Sequence, residues 1–255
     1  MSGVALALRQ VRYENKSFWR NPAAAFFTFA FPVLFLFIFN TVFGSDEIEM
    51  FGRTTSVSTF YVPAIAAFSV ITACYTNIAM GIVFSRDEGV LKRKLGTPLP
   101  KWAFIGGRVV HATLLDVVLF AIVAVVGMFV YDVDVAAASL PLFIPVLIVG
   151  GLAFASLGFA ISAIVPNADA APPVVNGTIL PLLFISDVFF VQGTTPDWLT
   201  RIADVFPVRH YVQAMTNAFN PFDPTIRWGD LAWVAGWGFV GAVVALRFFR
   251  WEPRR

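Results

Sequence analysis

Residues 85 to 98 read SRDEGVLKRKLGTP, and they lie between two apolar stretches that are each long enough to cross a bilayer. Six Lys and Arg residues fall between positions 86 and 108. Such a concentration of positive charge between two spans is typical of a cytoplasmic loop. Val90, Leu91 and Leu95 are spaced to share one side of a short helix. The stretch predicts a cytoplasmic helix on a membrane protein, or a basic loop that only fixes topology.

The composition of the chain places it among integral membrane proteins. It has 255 residues, of which 58% are hydrophobic and 13% charged, and its mean hydropathy is +0.76. Soluble domains contain about 25% charged residues. With Cys74 as the single cysteine and only 2 His, the chain offers no intrachain disulfide and little material for a metal site or a catalytic triad. We expect an all-α membrane protein without a catalytic residue, metal or cofactor.

Six apolar stretches meet the length of about 20 residues that a helix needs to cross the hydrocarbon core. They lie at about residues 23–43, 60–84, 102–130, 140–165, 172–190 and 231–249. The fifth is interrupted by Pro172, Pro173, Pro181 and Asp187. Because no linker or internal repeat divides the chain, we treat residues 1–255 as a single transmembrane domain.

Positive charge is distributed unevenly between the two sides of these spans. Of the 18 Lys and Arg residues, all but Arg53, Arg201, Arg209 and Arg227 lie on one side: before the first span, from the end of the second span to the first turns of the third, or at the C-terminal end of the last span and beyond. The positive-inside rule therefore predicts a multi-pass protein of the cell membrane with both termini and the 85–108 loop in the cytoplasm.

Two flanking segments predict helices outside the spans. Residues 4–19, VALALRQVRYENKSFW, mix apolar and charged groups in a way that favours a helix lying in the membrane interface over a signal peptide. In the outer loop, residues 191–230 contain two short amphipathic patterns that Pro207 separates. We expect a pair of short helices there, before the last span.

Three pieces of sequence resemble the permease subunit of type-2 ABC transporters, the class that exports drugs and polysaccharides. The most specific piece is residues 86–98, RDEGVLKRKLGTP, in which Val90 stands where the family usually has Thr. The others are WRNP at 19–22, with Pro32 inside the first span, and FPVRHY at 206–211. The resemblance covers the whole chain.

The resemblance implies a six-span fold, a second permease copy in a homodimer or heterodimer, and two cytosolic ABC ATP-binding subunits docked on the 85–98 region. It implies that coupling to the ATPase rests on Glu88, Gly89, Leu91, Arg93, Leu95, Thr97 and Pro98. We expect Glu88 at the start of the helix, and either a close backbone approach or a sharp turn at Gly89. Leu91 and Leu95 are expected to be apolar anchors in a groove on the ATPase. The chain has no GxxxxGK[ST] phosphate loop, so ATP hydrolysis belongs to a separate subunit.

Asp116 is the one acid deep in a predicted span, and an intramembrane charge is a functional candidate by default. The alternative is a structural role in which Asn77 or Thr113 holds its side chain, or in which the carboxyl group is protonated. The 28 Phe residues suit an apolar or amphipathic substrate path, although many are expected to face lipid.

The function expected from these features is ATP-driven efflux of a hydrophobic or amphipathic molecule, either drug-like, as in antibiotic resistance, or a lipid. One alternative keeps the fold and changes the cargo to a lipid-linked polysaccharide or glycolipid. Another alternative is an ion-driven secondary transporter, which would require several intramembrane acids or basic residues. A third is a membrane-embedded enzyme, which would require clustered His, Asp or Glu residues facing one plane. The expected contacts include membrane lipids but no nucleic acid.

Overall fold

The computed structural model describes residues 3–43, 46–190 and 196–252, and most of them are helical. The first half runs through α1 (Gly3–Trp19), α2 (Pro22–Phe43), β1 (Glu47–Met50), β2 (Arg53–Ser56), α3 (Ser58–Ile71), a π turn (Thr72–Thr76), α4 (Asn77–Asp87) and α5 (Val90–Leu95). The second half runs through α6 (Lys101–Val130), a 3₁₀ turn (Ala137–Ser139), α7 (Leu140–Ile164), α8 (Ala171–Ile185), α9 (Asp197–Ala203), α10 (Pro207–Ala218) and α11 (Trp228–Phe248).

Among the described residues, five helical stretches are long and apolar enough to cross a membrane. They are Pro22–Phe43, Ser58–Asp87, Lys101–Val130, Ala137–Ile164 and Trp228–Phe248. Within lipid a helix satisfies its own backbone donors and acceptors, so long apolar runs fold this way. The predicted all-α membrane fold is confirmed.

The fifth predicted span is shorter than its apolar stretch. Helix α8 has 15 residues, which is too few to cross the hydrocarbon core alone. Pro172 and Pro173 lie in its first turn, where their missing N–H groups cost nothing, so they begin the helix instead of interrupting it. The helix ends before Asp187, whose φ of 56° is left-handed. The prediction of a continuous span over 172–190 was therefore wrong at its C-terminal end.

A short antiparallel hairpin lies between α2 and α3 and was not predicted. Strand β1 pairs with β2 in a register that places Met50 opposite Arg53. The two residues between them, Phe51 and Gly52, have φ values of 56° and 71°. Positive φ at both central residues is the geometry of a tight hairpin turn. Residues 44 and 45, which precede the hairpin, lie outside the described residues.

The core of the bundle is built around α3, in which every residue from Ser58 to Ile71 is buried. Helix α10 packs against this core with Tyr211 and Met215, which are fully buried. The predicted pair of short helices before the last span is thus present as α9 and α10, and the second helix contributes to the core. Helix α2, in contrast to α3, has large apolar side chains exposed on its surface, including Phe26 and Phe27.

Helices α7 and α11 pack backbone against backbone. A Cβ atom added to Gly238 would lie 2.7 Å from Ala153 Cα, and one added to Gly241 would lie 2.9 Å from the Leu157 backbone nitrogen. Small residues at a helix interface allow this close approach in membranes.

Candidate functional site

The predicted coupling segment forms a sharp turn followed by a short helix. Glu88 caps the end of α4, and Gly89 has a φ of 69°, which glycine adopts without strain. Helix α5 then covers Val90–Leu95. It ends where Thr97 Oγ1 donates to the Lys94 carbonyl at 2.7 Å. Of the two predictions for Gly89, the structure has the sharp turn, and Glu88 lies just before the start of the helix.

The predicted role of Leu91 as an apolar anchor on the ATPase does not fit the structure. Its side chain is 0% exposed and belongs to the hydrophobic core of the bundle. Leu95 is 42% exposed. The two leucines do not share a free face, because α5 packs Leu91 inward against the spans. Leu91 fixes α5 to the membrane part, and Leu95 is available to a partner.

The exposed side of this segment is a mixed polar and apolar surface, which we name the α5 surface. Its exposed side chains are Glu88, Lys92, Arg93, Leu95, Thr97 and Pro98. Cations and an acid beside an apolar group suit contact with another protein, since such interfaces combine an apolar centre with a polar rim.

Arg86 ties the start of this segment to the end of α7. Its side chain is 2% exposed, and Nη1 donates to the Ser162 carbonyl at 2.9 Å. Nη2 donates to the Val165 carbonyl. The last carbonyls of a helix lack partners within the helix and carry the negative end of its dipole. A buried arginine is therefore well placed here, although the sequence alone identifies Arg86 only as a loop charge.

Asp87 extends the same connection to the loop between α7 and α8. Its Oδ2 accepts from the Ala168 backbone N–H. Arg86 and Asp87 together hold the turn before α5 against the α7–α8 connection. The sequence does not suggest this contact, since the partners are separated by 76 to 81 positions.

A second connection joins α5 to α1 and α6 through Glu14. The carboxylate Oε1 lies 3.2 Å from Arg108 Nε and 3.7 Å from Lys94 Nζ. Gln10 also donates to this carboxylate. The Lys94 Nζ atom lies 4.5 Å from the centre of the Phe104 ring, a cation–π distance. Lys94 is therefore directed inward, unlike its exposed neighbour in the sequence, Arg93.

Neighbouring charged side chains determine the ionisation of the Glu14 carboxyl group. Burial raises the pKa of Glu14, but the charges of Arg108 and Lys94 and the hydrogen bonds from Arg108 and Gln10 together lower it by more, so the pKa lies below its usual value of 4.5. Burial lowers the pKa of Lys94, and the Glu14 carboxylate partly opposes that shift. At neutral pH Glu14 is ionised and holds both cations.

Replacing Glu14 by Gln should lower the free energy of unfolding by about 1–2 kcal/mol at neutral pH, because two partly buried cations lose their counter-charge. Since folding depresses the pKa of Glu14, its contribution is complete above the unfolded-state pKa of 4.5 and disappears as the pH falls through the folded-state pKa. Chemical unfolding in detergent micelles at neutral pH and at a pH below the folded-state pKa measures the difference. Glu252→Gln, whose pair with Lys92 is exposed, is the control. If Glu14→Gln lowers the free energy of unfolding by the same amount in acid as at neutral pH, the ionised Glu14 carboxylate is not the source of the stability.

A groove of about 650 Å³ separates α1 from the α5 segment. Tyr13 and Leu6 line one side of it, and Glu88, Thr97 and Pro98 line the other. The sequence predicts apolar anchors of this chain that enter a groove on a partner. The structure also has a groove on this chain, bordered by part of the α5 surface.

Asp116 lies in the middle of α6 and is 0% exposed. Its Oδ2 accepts from Cys74 Sγ at 3.2 Å, within the π turn between α3 and α4. A Cβ atom on Gly151 of α7 would lie 3.0 Å from the same oxygen. Asp116 is thus enclosed between the π turn and α7. The structure shows no hydrogen bond from Asn77 or Thr113 to it, and Thr113 Oγ1 donates to the Val109 carbonyl.

Replacing Asp116 by Asn should leave membrane insertion and transport close to wild type. The amide keeps an oxygen acceptor for Cys74 Sγ and has nearly the same volume. Any transport activity should change by less than about twofold, as for a substitution that retains its hydrogen bond. Transport assays normalised to the amount of inserted protein measure this. Loss of transport at normal protein levels would show that the charge or its proton takes part in the transport cycle.

A large aromatic cavity lies at the opposite end of the bundle from α5. It measures about 1230 Å³ and is lined by residues of α2, α3, the hairpin, and α8 with the turn that follows it, including eight phenylalanines. Phe189 lies at its centre, with ring centroids 5.6 Å from Phe39, 5.8 Å from Phe68 and 5.1 Å from Phe184. The Phe content of the sequence suggests such a path without locating it.

Comparisons with known proteins agree with this architecture. The family described as ABC-2 type transporter matches residues 8–220. A putative transport permease, ycf38, of Porphyra purpurea is 23% identical over 91% of this chain and 79% of its own length. A probable multidrug ABC transporter permease, YbhR, of Escherichia coli is 24% identical over 70% of this chain and 47% of its own length.

A third relative is the daunorubicin resistance ABC transporter permease protein DrrB1 of Streptomyces coeruleorubidus. DrrB1 is 28% identical to this chain over 72% of this chain and 64% of the length of DrrB1. Permeases of this kind work with ATP-binding subunits. The family match covers most of the chain, including most of α1, the α5 segment and α10. The chain belongs to the ABC-2 type transporter family.

Proposed function

We propose that this chain is the transmembrane permease subunit of an ATP-driven exporter that moves a hydrophobic or amphipathic molecule out of the cytoplasm or inner leaflet. The observation that carries the proposal is the α5 surface. It is exposed on a member of the ABC-2 type transporter family, and buried contacts hold its helix against the spans. A separate cytosolic ABC subunit hydrolyses ATP and docks there. A second permease copy, identical or different, completes the transporter within the lipid.

The contacts around α5 give a physical route for the coupling. Arg86 and Asp87 connect it to α7 and α8, and Lys94 connects it to α1 and α6 through Glu14. A displacement of α5 therefore acts on several spans at once. For ATP to drive the change, the partner must contact the α5 surface differently in its nucleotide-bound and free states. The docking segment in this proposal consists of Glu88, Gly89, Arg93, Leu95, Thr97 and Pro98, with Leu91 as the residue that positions it.

The orientation follows the distribution of positive charge, with both termini and α5 in the cytoplasm. Reporter fusions within residues 86–100 should then report cytoplasm, and fusions at Gly52 in the hairpin should report the outside. An outside signal from the 86–100 fusion would reverse the assignment of every loop and end the proposal.

The cargo class is supported by the cavity and by two relatives. The cavity is lined mainly by aromatic and aliphatic groups. YbhR is named as a multidrug permease and DrrB1 as a daunorubicin resistance permease. The ion-driven alternative does not fit membership of an ATP-binding-cassette family. A lipid-linked polysaccharide remains the second candidate cargo for the same fold.

The decisive experiment is co-expression with a candidate ABC ATPase, followed by purification and reconstitution into liposomes. We expect a stable complex, and ATP hydrolysis that an amphipathic cargo stimulates. Glu88→Ala should keep the permease inserted and reduce stimulation, while Lys101→Ala, outside the α5 surface, is the control. A complex that never forms, or stimulation equal in both variants and wild type, would contradict the assigned docking segment.

A further inference from the structure

The walls of the aromatic cavity are apolar, and its entrance is acidic. Phe35, Phe39 and Phe68 form part of the wall. Asp46 and Glu47 lie at the rim, where Glu47 begins β1 of the hairpin and Asp46 precedes it. Both acids are exposed. Among the described residues, no cation lies within ion-pair distance of either carboxylate. The nearby hairpin cation, Arg53, lies over the Phe222 ring at 4.5 Å instead.

A specific set of contacts positions the central ring of this wall. The left-handed residue Asp187 turns the chain after α8, and its Oδ2 accepts from Arg209 Nε at 2.8 Å. Asp187 is 2% exposed, so the pair is largely shielded from solvent. Arg209 also pairs with Asp204. Helix α10 thereby fixes the turn that brings Phe189 against the wall. The wall is therefore held in place by contacts within the bundle.

The combination of aromatic walls and free acids favours one kind of ligand. The quadrupole of an aromatic ring attracts a cation to its face, and two unpaired carboxylates add a negative potential at the entrance. Within the described part of the lining, Tyr61 is the one further polar side chain. A sugar polymer would need many hydrogen-bonding groups here, because buried hydroxyls without partners are costly. An anion would be repelled at the rim.

We propose that this cavity binds an organic cation with a bulky aromatic or apolar body, and that Asp46 and Glu47 select its charge. The proposal rests on the export function proposed above and narrows its cargo class. The volume of about 1230 Å³ is slightly above the range of drug-sized sites, so it accommodates one bulky molecule of this kind. The cavity lies at the hairpin end of the spans, which in the proposed orientation makes it the last binding position before release.

The test uses two probes of nearly the same shape and opposite charge, tetraphenylphosphonium and tetraphenylborate. Binding of each radiolabelled ion to the purified full-length protein is measured by equilibrium dialysis in detergent. Each affinity is expressed relative to wild type, which cancels the different partitioning of the two ions into micelles. No ATPase is needed, so a failure of coupling leaves this measurement intact.

We expect Asp46→Asn with Glu47→Gln to weaken tetraphenylphosphonium binding about tenfold without weakening tetraphenylborate binding. Glu49→Gln, in the same hairpin but outside the cavity lining, should change neither affinity. An equal effect of the Asp46/Glu47 and Glu49 variants on the phosphonium ion would overturn the charge selection.

Phe189→Ala should weaken binding of both ions, because it removes the central ring. Phe189 is 8% exposed and its loss could disturb folding, so Phe184→Ala, at the 51% exposed edge of the wall, provides a second variant with the same expected direction. Phe129→Ala is the control, at a ring that is 81% exposed on α6. If the Phe184 and Phe189 variants both match this control, the cavity is filled by lipid or detergent only and the proposal is wrong.

Discussion

Replacing Arg86 by Met should destabilise the protein by about 3 kcal/mol and abolish the coupling of ATP hydrolysis to export. The substitution keeps an apolar stem of similar length but removes both guanidinium donors. The Ser162 and Val165 carbonyls then remain at the end of α7 without their present partner. Removing a buried charge is favourable by itself. Each unsatisfied buried acceptor costs about 1–3 kcal/mol, however, so the net effect of the substitution is to lower the free energy of unfolding.

Thermal unfolding in micelles and hydrogen exchange of residues 160–170 measure this effect. Exchange should accelerate there in Arg86→Met, because the α7–α8 connection loses its attachment to the turn before α5. Arg86→Lys should be intermediate, since one ammonium group cannot reproduce the planar fork that reaches two carbonyls.

The matched control for Arg86 is Arg93→Met, which removes an exposed cation from the same basic segment. Its stability and its exchange at residues 160–170 should stay near wild type, because surface substitutions of this kind have small effects. If Arg86→Met and Arg93→Met unfold at the same temperature and exchange alike, the buried attachment of Arg86 does not contribute to stability.

Leu91→Ala and Leu95→Ala should have different consequences, although the two leucines belong to the same short helix. Leu91 is fully buried, and truncating a buried leucine costs about 2–5 kcal/mol. Leu95 is 42% exposed, so its truncation should change stability by less than about 0.5 kcal/mol. Leu95→Ala should instead weaken binding of the ATPase, because it removes the apolar group of the α5 surface.

Paired measurements separate these effects. Thermal unfolding of the permease alone should detect Leu91→Ala, and the affinity for the purified ATPase should detect Leu95→Ala in a protein of normal stability. Lys101→Ala, outside the α5 surface, controls for a general effect of substitution near this segment. Wild-type affinity and coupling in Leu95→Ala would mean that this loop serves only as a basic topology signal.

The membrane fold was predictable because the bilayer imposes one solution on a long apolar run. Backbone groups in hydrocarbon must bond within the segment, so composition and length suffice to locate a helix. The same reasoning fails for α8, where the apolar stretch continues but Asp187 leaves the helix to pair with Arg209. It also misses the hairpin, whose polar strands are short and carry no hydropathy signal.

The candidate site was predictable as a segment but not in its contacts. The turn at Gly89 follows from local sequence, because glycine tolerates its backbone conformation. The burial of Leu91 and Arg86 depends on which side of α4 and α5 faces the spans, and that is set by distant residues. The bond between Cys74 and Asp116 likewise joins positions 42 residues apart and depends on the rotation of two helices.

The direct packing of α7 on α11 has a consequence for biogenesis. The face of α7 around Ala153 is shaped to receive the glycines of the last long helix, and α8, α9 and α10 are all synthesised between the two. Until α11 is inserted, that face has only lipid or the insertion machinery to cover it. The packing of α7 on α11 therefore forms only after α8, α9 and α10 have been synthesised, and a chain interrupted before Trp228 leaves α7 without this partner.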